Sequence, residues 1–352
     1  MTFRSASRYA IAFLTILAGH CWAAETLEIY FIDVEGGQST LMVAPGGESL
    51  LIDTGWAGNG SPGSKPGDLS RSRDANRILA AARDAGIKQI DYALITHFHA
   101  DHNGGVVELA QLMPIRHFID HGSLPVQAQS DAETKAAYEA YLAVRNQVAH
   151  IEPKPGDRLP LKQIDAVIVS SAAATITVPF PGGGEINAVC GRSAFPPGDA
   201  IENPRSTGLV VSFGKFRFLD VGDLTGQPLF DLACPRNMIG SVDAYLVAHH
   251  GGPDASDPAT FAAFRPRVAV MNNGLKKGGS LPAYESLHHV PGLEDVWQLH
   301  RSEAAGDANF AAERIANLDE SSAYWIKFSV SKDGSFRVLN ARTRQWKAYP
   351  AR

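Results

Sequence analysis

The sequence has few cysteines, no excess of positive charge and no apolar run long enough to span a bilayer comfortably. It contains 3 cysteines in 352 residues, and 32 lysines and arginines against 37 aspartates and glutamates. A net charge of −5 gives no overall attraction to a polyanion, which disfavours nucleic acid as a substrate without excluding it. The apolar run at 9–19 is shorter than the about 20 residues of a transmembrane helix, so we expect no stable membrane anchor.

The first 24 residues have the layout of a secretory signal peptide. Arg4 and Arg8 precede the apolar run, and the small residues Ala23 and Ala24 follow it. We therefore expect cleavage near Ala24 and a periplasmic or secreted protein; a retained anchor is the alternative. After cleavage Cys190 and Cys234 would remain, and they can either pair in an oxidising compartment or stay as free thiols.

Residues 25–352 have ordinary globular composition, with 45% hydrophobic and 20% charged residues in the whole chain, and enough material for one large domain, which we expect, or for two modest ones. Apolar runs bounded by glycine alternate with segments of helical periodicity, and no repeat of 20–50 residues is visible. Predicted strands lie at 27–34, 39–43, 49–53, 90–96, 166–169, 175–178, 209–213, 216–221, 244–248, 268–272 and 296–300, with a hairpin of 325–330 and 335–339 closing the chain. Predicted helices lie at 74–86, 106–113 and 133–148. This alternation predicts an α/β protein with two sheet halves, helices outside and a site along one edge.

The most informative string is HFHADH, which places His97, His99, Asp101 and His102 on a loop after a buried strand. Such a grouping rarely arises by accident. Extended backbone alternates sides, so His97 and His99 project the same way and can chelate one ion. Asp101 and His102 follow where the chain turns, and they can face a second ion. A surface histidine cluster is the alternative interpretation.

The residue types in this string suit divalent metals. Imidazole and carboxylate are ligands for Zn²⁺, with Fe and Mn as alternatives. The absence of cysteine from the string disfavours a purely structural zinc site. We therefore expect two divalent metal ions with an open coordination position.

Further ligands must come from other strand ends, because six consecutive residues cannot surround two ions. Asp223 and His249 both follow apolar strands at glycine-rich turns. A carboxylate such as Asp223 can bridge two cations roughly 3.5 to 4 Å apart with a shared hydroxide between them. Taken alone, each residue is equally open to an ordinary turn role.

The order of these motifs resembles the metallo-β-lactamase superfamily, whose fold is a four-layer αββα sandwich. The strings FIDVEGGQS at 31–39, LIDTG at 51–55 and HHG at 249–251 are most similar to the hydrolase domain of ComEC/Rec2-type DNA-uptake proteins and to phosphorylcholine esterases. The resemblance implies the following sets: His97, His99 and Asp223 for the first metal, and Asp101, His102, Asp223 and His249 for the second. It makes Asp53 a carboxylate that orients a ligand and His250 a supporting or substrate-contacting residue.

Two departures from that family pattern matter. Many members supply a further histidine to the first metal, and the candidates here are His117, His121 and His150, of which His121 is the best placed as a ligand or substrate contact. An ordinary loop histidine is the alternative for His121. The membrane channel of the DNA-uptake proteins has no counterpart in this sequence, so transport is not carried over.

The predicted function is metal-dependent hydrolysis of a small-molecule or cell-envelope ester or phosphodiester by a metal-bridging hydroxide. Asp101 or Asp223 is the expected proton acceptor. A β-lactamase or lactonase activity is the alternative within this class, and a non-catalytic envelope binding protein with structural metals is the alternative from another class. The basic residues Arg192, Arg205, Lys276 and Lys277 are either a phosphate-binding patch or ordinary solvated charges.

Overall fold

A computed structural model describes residues 25–61, 64–192, 195 and 201–352. The expected signal peptide and part of the glycine- and proline-rich segment 179–203 lie outside the described residues.

The first sheet contains β1 (Leu27–Phe31), β2 (Thr40–Val43), β3 (Ser49–Ile52), β4 (Ile90–Leu94), β5 (Ile115–Ile119), β6 (Ala149–Ile151), β15 (Ile326–Val330), β16 (Phe336–Asn340) and β17 (Gln345–Tyr349). The second contains β7 (Asp165–Ser171), β8 (Ala174–Thr175), β9 (Gly208–Phe213), β10 (Phe216–Asp220), β11 (Ala244–Leu246), β12 (Val268–Met271), β13 (Asp295–His300) and β14 (Ile315–Asn317). The helices are α1 (Arg73–Asp84), α2 (Ala100–Asn103), α3 (Val106–Leu112), α4 (Ala132–Arg145), α5 (Gly226–Ala233), α6 (Pro258–Phe264) and α7 (Leu281–His288).

The two sheets combine parallel and antiparallel strands. The first runs in the order β17-β16-β15-β1-β2-β3-β4-β5-β6, and the second in the order β14-β13-β12-β11-β10-β9-β7-β8. In the first sheet β3 to β6 are parallel neighbours, and in the second β10 to β14 are. The carboxyl ends of these parallel strands therefore meet at one edge of each sheet.

The chain folds into four layers because both faces of each sheet are apolar. In β1, Ile29 and Phe31 pack between the sheets against residues such as Phe218, whereas Tyr30 packs with the helices on the outer face. Strands buried on both faces carry apolar residues at odd and even positions alike. Helices α1, α3 and α4 cover the first sheet, and α5, α6 and α7 cover the second. The predicted αββα sandwich is confirmed.

Several element predictions need correction. The hairpin near the end of the chain does not close it, because β17 adds a third strand beside β16. Only Tyr349 of β17 is buried, so this edge strand lacks the apolar alternation that marks a strand in the sequence. The strand predicted at 175–178 is restricted to β8, and Val178 is 75% exposed.

Helices α5, α6 and α7 were not predicted. Each has 7 or 8 residues and carries glycine or proline within its first turns, so periodicity over a longer window does not reveal it. Within the described part of the chain, no helix combines the length and apolarity needed to cross a bilayer.

Candidate metal centre

The histidine string follows β4, and Asp53 after β3 holds Thr96, the residue that precedes the string. The backbone N–H and the hydroxyl of Thr96 both donate to the Asp53 carboxylate, at 2.8 Å each. The N–H of Thr207, which precedes β9, donates to the Thr96 carbonyl at 2.8 Å and ties the two sheets together at this point. The string therefore lies at the edge shared by both sheets.

His97 and His99 lie side by side, as their spacing predicts. His97 Nε2 is 2.9 Å from His99 Nδ1, and the two rings are T-shaped. His97 is completely buried, and its Nδ1 lies 3.1 Å from the Thr96 hydroxyl. Two imidazole nitrogens thus face one common point.

Four buried side chains converge beside this pair: Asp101, His102, Asp223 and His250. His102 Nε2 lies 3.4 Å from Asp101 Oδ2, 3.2 Å from Asp223 Oδ2 and 3.2 Å from His250 Nε2. His250 Nε2 lies 3.2 Å from Asp101 Oδ2 and 3.3 Å from Asp223 Oδ2. Donors at zinc-binding distance on a tetrahedron are separated by roughly 3.3 to 3.6 Å. The four donors therefore fit one divalent cation.

Asp223 connects this cluster with the histidine pair. Its Oδ2 also lies 3.9 Å from His97 Nε2, and its Oδ1 is buried with no hydrogen-bond partner among the described residues. A buried carboxylate oxygen without a partner is costly in a protein interior. A cation at either donor set would satisfy it, so the donor chemistry fits a centre bridged by Asp223.

The turn after β11 exchanges the expected roles of two neighbouring histidines. His249 and His250 have φ values of 51° and 52°, in the left-handed region. This turn directs His250 into the cluster, where the sequence analysis expected His249. His249 Nδ1 instead lies 2.6 Å from Asp254 Oδ1, and its Nε2 is 3.3 Å from Asn203 Nδ2 and 3.7 Å from Asp223 Oδ2. His249 therefore occupies the rim, and its metal ligation stays a prediction that these contacts disfavour.

Burial and charge set the protonation of the carboxylates. Burial raises the pKa of Asp101, but Lys277 and His102 outweigh it and hold that pKa well below its usual value. Burial likewise raises the pKa of Asp223, and His102 and His250 outweigh it. Both groups are therefore anionic at neutral pH, which is the form that binds a divalent cation.

The histidines of the centre are shifted in opposite directions. Burial and the neighbouring His102 lower the pKa of His97 well below its usual value. Burial lowers the pKa of His102 too, but Asp223 and Asp101 outweigh it and raise that pKa. In the metal-free protein His102 therefore carries a positive charge. This charge partly neutralises Asp101 and Asp223, as a bound cation would.

The further histidines named from the sequence lie outside both donor sets. His121 is buried against the Phe98 ring, and its Nε2 is 3.2 Å from Glu202 Oε2. His117 stacks on Tyr92, and His150 Nε2 is 3.0 Å from Asp120 Oδ2. The sequence analysis missed Glu202, which also accepts the N–H of Phe98 at 2.9 Å, because it lies in a segment with no periodicity.

A second group of potential ligands is already paired with an arginine. His300 Nε2 lies 2.8 Å from Asp33 Oδ1 and 3.4 Å from Glu35 Oε2. The Arg77 guanidinium pairs with the same two carboxylates, at 2.9 Å and 3.1 Å. Because an arginine already pairs with both carboxylates, we describe the group as an ion-pair network.

The mouth of the centre contains Lys277 and Trp56. The Lys277 ammonium contacts Asp101 Oδ2 and lies 4.9 Å from the centre of the Trp56 ring. A cavity of about 510 Å³ lies beside Trp56, between α4 and residues of the segments 57–61 and 64–66. A larger cavity of about 870 Å³ lies against α6 and α7, and none of the candidate metal ligands lines either cavity.

The family model for the metallo-beta-lactamase superfamily matches residues 33–233, which is more than half of the chain. The chain belongs to this superfamily, and the resemblance stated from its motifs is confirmed. Members of the superfamily are mostly metal-dependent hydrolases, and the candidate metal-binding residues described above are in keeping with that class.

The individual relatives match this chain over part of its length or at low identity. ComE operon protein 3 of Bacillus subtilis is 23% identical over 253 residues, which are 70% of this chain and 28% of that protein. An atrochrysone carboxyl ACP thioesterase of Aspergillus terreus is 32% identical over 96 residues, which are 26% of each. The chain thus spans little more than a quarter of the length of these curated relatives. The metallo-beta-lactamase fold protein YhfI of Bacillus subtilis has a TM-score of 0.46 at 11% identity, over 78% of this chain and 96% of that one.

Proposed function

We propose that this protein is a hydrolase that holds two divalent metal ions and cleaves an ester or phosphodiester bond. The observation that carries the proposal is the convergence of Asp101, His102, Asp223 and His250 at separations of 3.2 to 3.4 Å. In our assignment these four residues hold one ion, and His97, His99 and Asp223 hold the other. Zn²⁺ is the first choice for both positions, with Fe and Mn as alternatives.

When bound, such ions supply an activated water at neutral pH and polarise the substrate oxygen that faces them. The chain's own residues prepare the site for this chemistry. Asp53 fixes the ring of His102 by accepting its Nδ1–H, so that Nε2 faces the centre. Asp101 and Asp223 both stay the proposed proton acceptors, since both carboxylates lie at the centre.

The substrate and location are parts of the same proposal. A small molecule or a cell-envelope component is the proposed substrate, and the cavity of about 510 Å³ beside Trp56 has the size of a small-molecule site. The thioesterase similarity adds thioesters to the substrates that merit testing. The disulfide between Cys190 and Cys234 supports a periplasmic or secreted location, because such bonds persist in oxidising compartments.

Metal analysis coupled to a substrate panel tests this proposal. The protein is purified without chelator, its zinc, iron and manganese are measured, and metal-free protein is reloaded with each metal. Bis(p-nitrophenyl) phosphate, p-nitrophenyl acetate, an acyl thioester, a lactone and a β-lactam are then assayed in parallel. We expect two metal equivalents per chain and turnover of the phosphodiester or the simple ester.

Asp223→Asn and Asp231→Asn form the matched pair of variants. Asp231 is exposed on α5, so its substitution should leave metal content and activity unchanged. Asp223→Asn should lose metal and at least about 100-fold in turnover, since it removes the shared ligand. Full retention of metal and activity by Asp223→Asn would refute the assignment. Two bound metals with no turnover of any substrate would favour the non-catalytic binding protein instead.

A further inference from the structure

Lys277 differs from an ordinary surface lysine because its ammonium reaches a candidate metal ligand. Its Nζ contacts Asp101 Oδ2 and lies over the face of the Trp56 ring, while 42% of the side chain stays exposed. The adjacent Lys276 is 66% exposed, and its Nζ lies 3.9 Å from Glu320 Oε1 at the surface. Two consecutive lysines therefore have different environments, and only Lys277 contacts a candidate metal ligand.

The backbone of Lys277 is fixed within its own loop and against two neighbouring turns, one of which carries His250. The N–H of Gly274 donates to the Lys277 carbonyl at 2.8 Å, and the N–H of Gly279 donates to the His250 carbonyl at 2.7 Å. A Cβ at Gly36, where φ is 83°, would lie 2.8 Å from the Lys277 Cβ. The lysine is thus held between the turn at Gly36 and the turn at His250. Only the outer part of its side chain is free to move.

Metal loading changes the charge that faces this ammonium. Without metal, the Asp53, Asp101 and Asp223 carboxylates outnumber the positive charge on His102 and make the centre negative, and Lys277 acts as a counter-ion to Asp101. Two divalent cations would balance these three carboxylates and a bridging hydroxide, and would thereby weaken the attraction between Lys277 and Asp101. The fixed backbone and the Trp56 ring would still keep the ammonium at the mouth. The ammonium would then be an unbalanced positive charge beside the centre, which is an arrangement suited to an anion.

We propose that Lys277, supported by Trp56, binds the negative charge of the substrate and makes the centre selective for phosphodiesters over neutral esters. This inference rests on the proposed hydrolase function and names its substrate class. The ammonium would contact a non-bridging phosphoryl oxygen, and the cavity beside Trp56 would receive one of the two ester groups. Lys277 is in this account a specificity-determining residue.

The test compares Lys277→Met, Lys277→Arg and the control Lys276→Met, each loaded with metal and checked for equal metal content. Substrates are anionic bis(p-nitrophenyl) phosphate and neutral p-nitrophenyl acetate. Lys277→Met should raise KM for the phosphodiester about 10-fold or more, as expected for loss of a charge-assisted hydrogen bond, with little change in kcat and none for the acetate. Lys277→Arg should restore most of the affinity, and Lys276→Met should match the wild type. Equal effects of Lys277→Met on both substrates, or no effect, would overturn the inference.

Inorganic phosphate binding gives a readout that does not depend on turnover. Isothermal titration of metal-loaded protein should show phosphate affinity reduced about 10-fold in Lys277→Met and unchanged in Lys276→Met. If the wild type hydrolyses neither substrate, the proposed function fails, yet this titration still decides the role of Lys277. Equal phosphate affinity in wild type and Lys277→Met would remove that role.

Discussion

Asp53 Oδ2 lies 2.7 Å from His102 Nδ1, and both side chains are completely buried. Asp53 follows β3 with a φ of 59°, a strained value for a residue other than glycine. Its carboxylate also accepts two hydrogen bonds from Thr96, so it is fixed on both oxygens. The pair turns His102 Nε2 towards Asp101, Asp223 and His250.

Asp53→Asn should weaken metal binding about 10- to 100-fold, the range found when a supporting partner of a metal-binding histidine is removed. The amide group cannot accept at both oxygen positions, so the ring of His102 loses its fixed orientation. Competition with a chromogenic chelator measures the affinity. Asp68→Asn, at a fully exposed position, is the control, and equal affinity in the two variants would contradict the role of Asp53.

His250→Gln and His249→Gln should have different metal contents. The Nε2 atom of His250 lies 3.2 to 3.3 Å from the donor atoms of the other three ligands. Loss of His250 removes this donor, so about one metal equivalent should be lost. His249 is held by Asp254 and Asn203, so His249→Gln should keep its metal. Elemental analysis of both proteins after gel filtration measures this. The reverse pattern would restore the assignment made from the sequence.

Asp220 should make the stability of the metal-free protein depend on pH. Burial raises the pKa of Asp220 from its usual 3.8 to about 7. Between these values the folded state keeps a proton that the unfolded state has released, so stability falls as pH rises from about 4 to about 7. Asp220→Asn removes this titration. Between about pH 4 and about pH 7 the free energy of unfolding of the variant should therefore rise relative to that of the wild type by at most about 4 kcal/mol. Urea unfolding at pH 5 and pH 8 measures it, and a difference that does not change with pH would exclude the effect.

The Cys190–Cys234 disulfide should stabilise the protein by about 2 to 4 kcal/mol, since it closes a loop with a sequence separation of 44. Urea unfolding of the wild type should therefore shift to lower concentration when a reductant is added. The double variant Cys190→Ser with Cys234→Ser should start at the lower midpoint and show no response to reductant. A wild type that is insensitive to reductant would indicate that the two thiols are not joined in solution.

The sequence predicted the proximity of candidate ligands well where they lie close together along the chain, and their metal binding stays a prediction. His97, His99, Asp101 and His102 lie within one short string, and their alternation along extended backbone gives the observed proximity of His97 and His99. Asp223 was found because it follows an apolar strand at a glycine turn. Such turns at the ends of parallel strands converge on one edge, as β10 and β11 do.

The sequence could not predict features that depend on a single turn or on distant contacts. The choice between His249 and His250 follows from two left-handed φ values, and no pattern in the string HHGG specifies them. The contact between Lys277 and Asp101 joins residues 176 positions apart. For Lys277 the residue type alone suggests a solvated charge, and only the packing against Gly36 reveals its fixed position.

A crystal structure of the metal-loaded protein, with anomalous scattering recorded at the absorption edge of the bound metal, tests the central claim most directly. We predict two anomalous peaks that both contact Asp223. One should lie about 2.0 to 2.3 Å from donors of Asp101, His102 and His250, and the other at that distance from His97 and His99. Peaks located instead at Asp33, Glu35 and His300, or no peak near Asp223, would contradict the account.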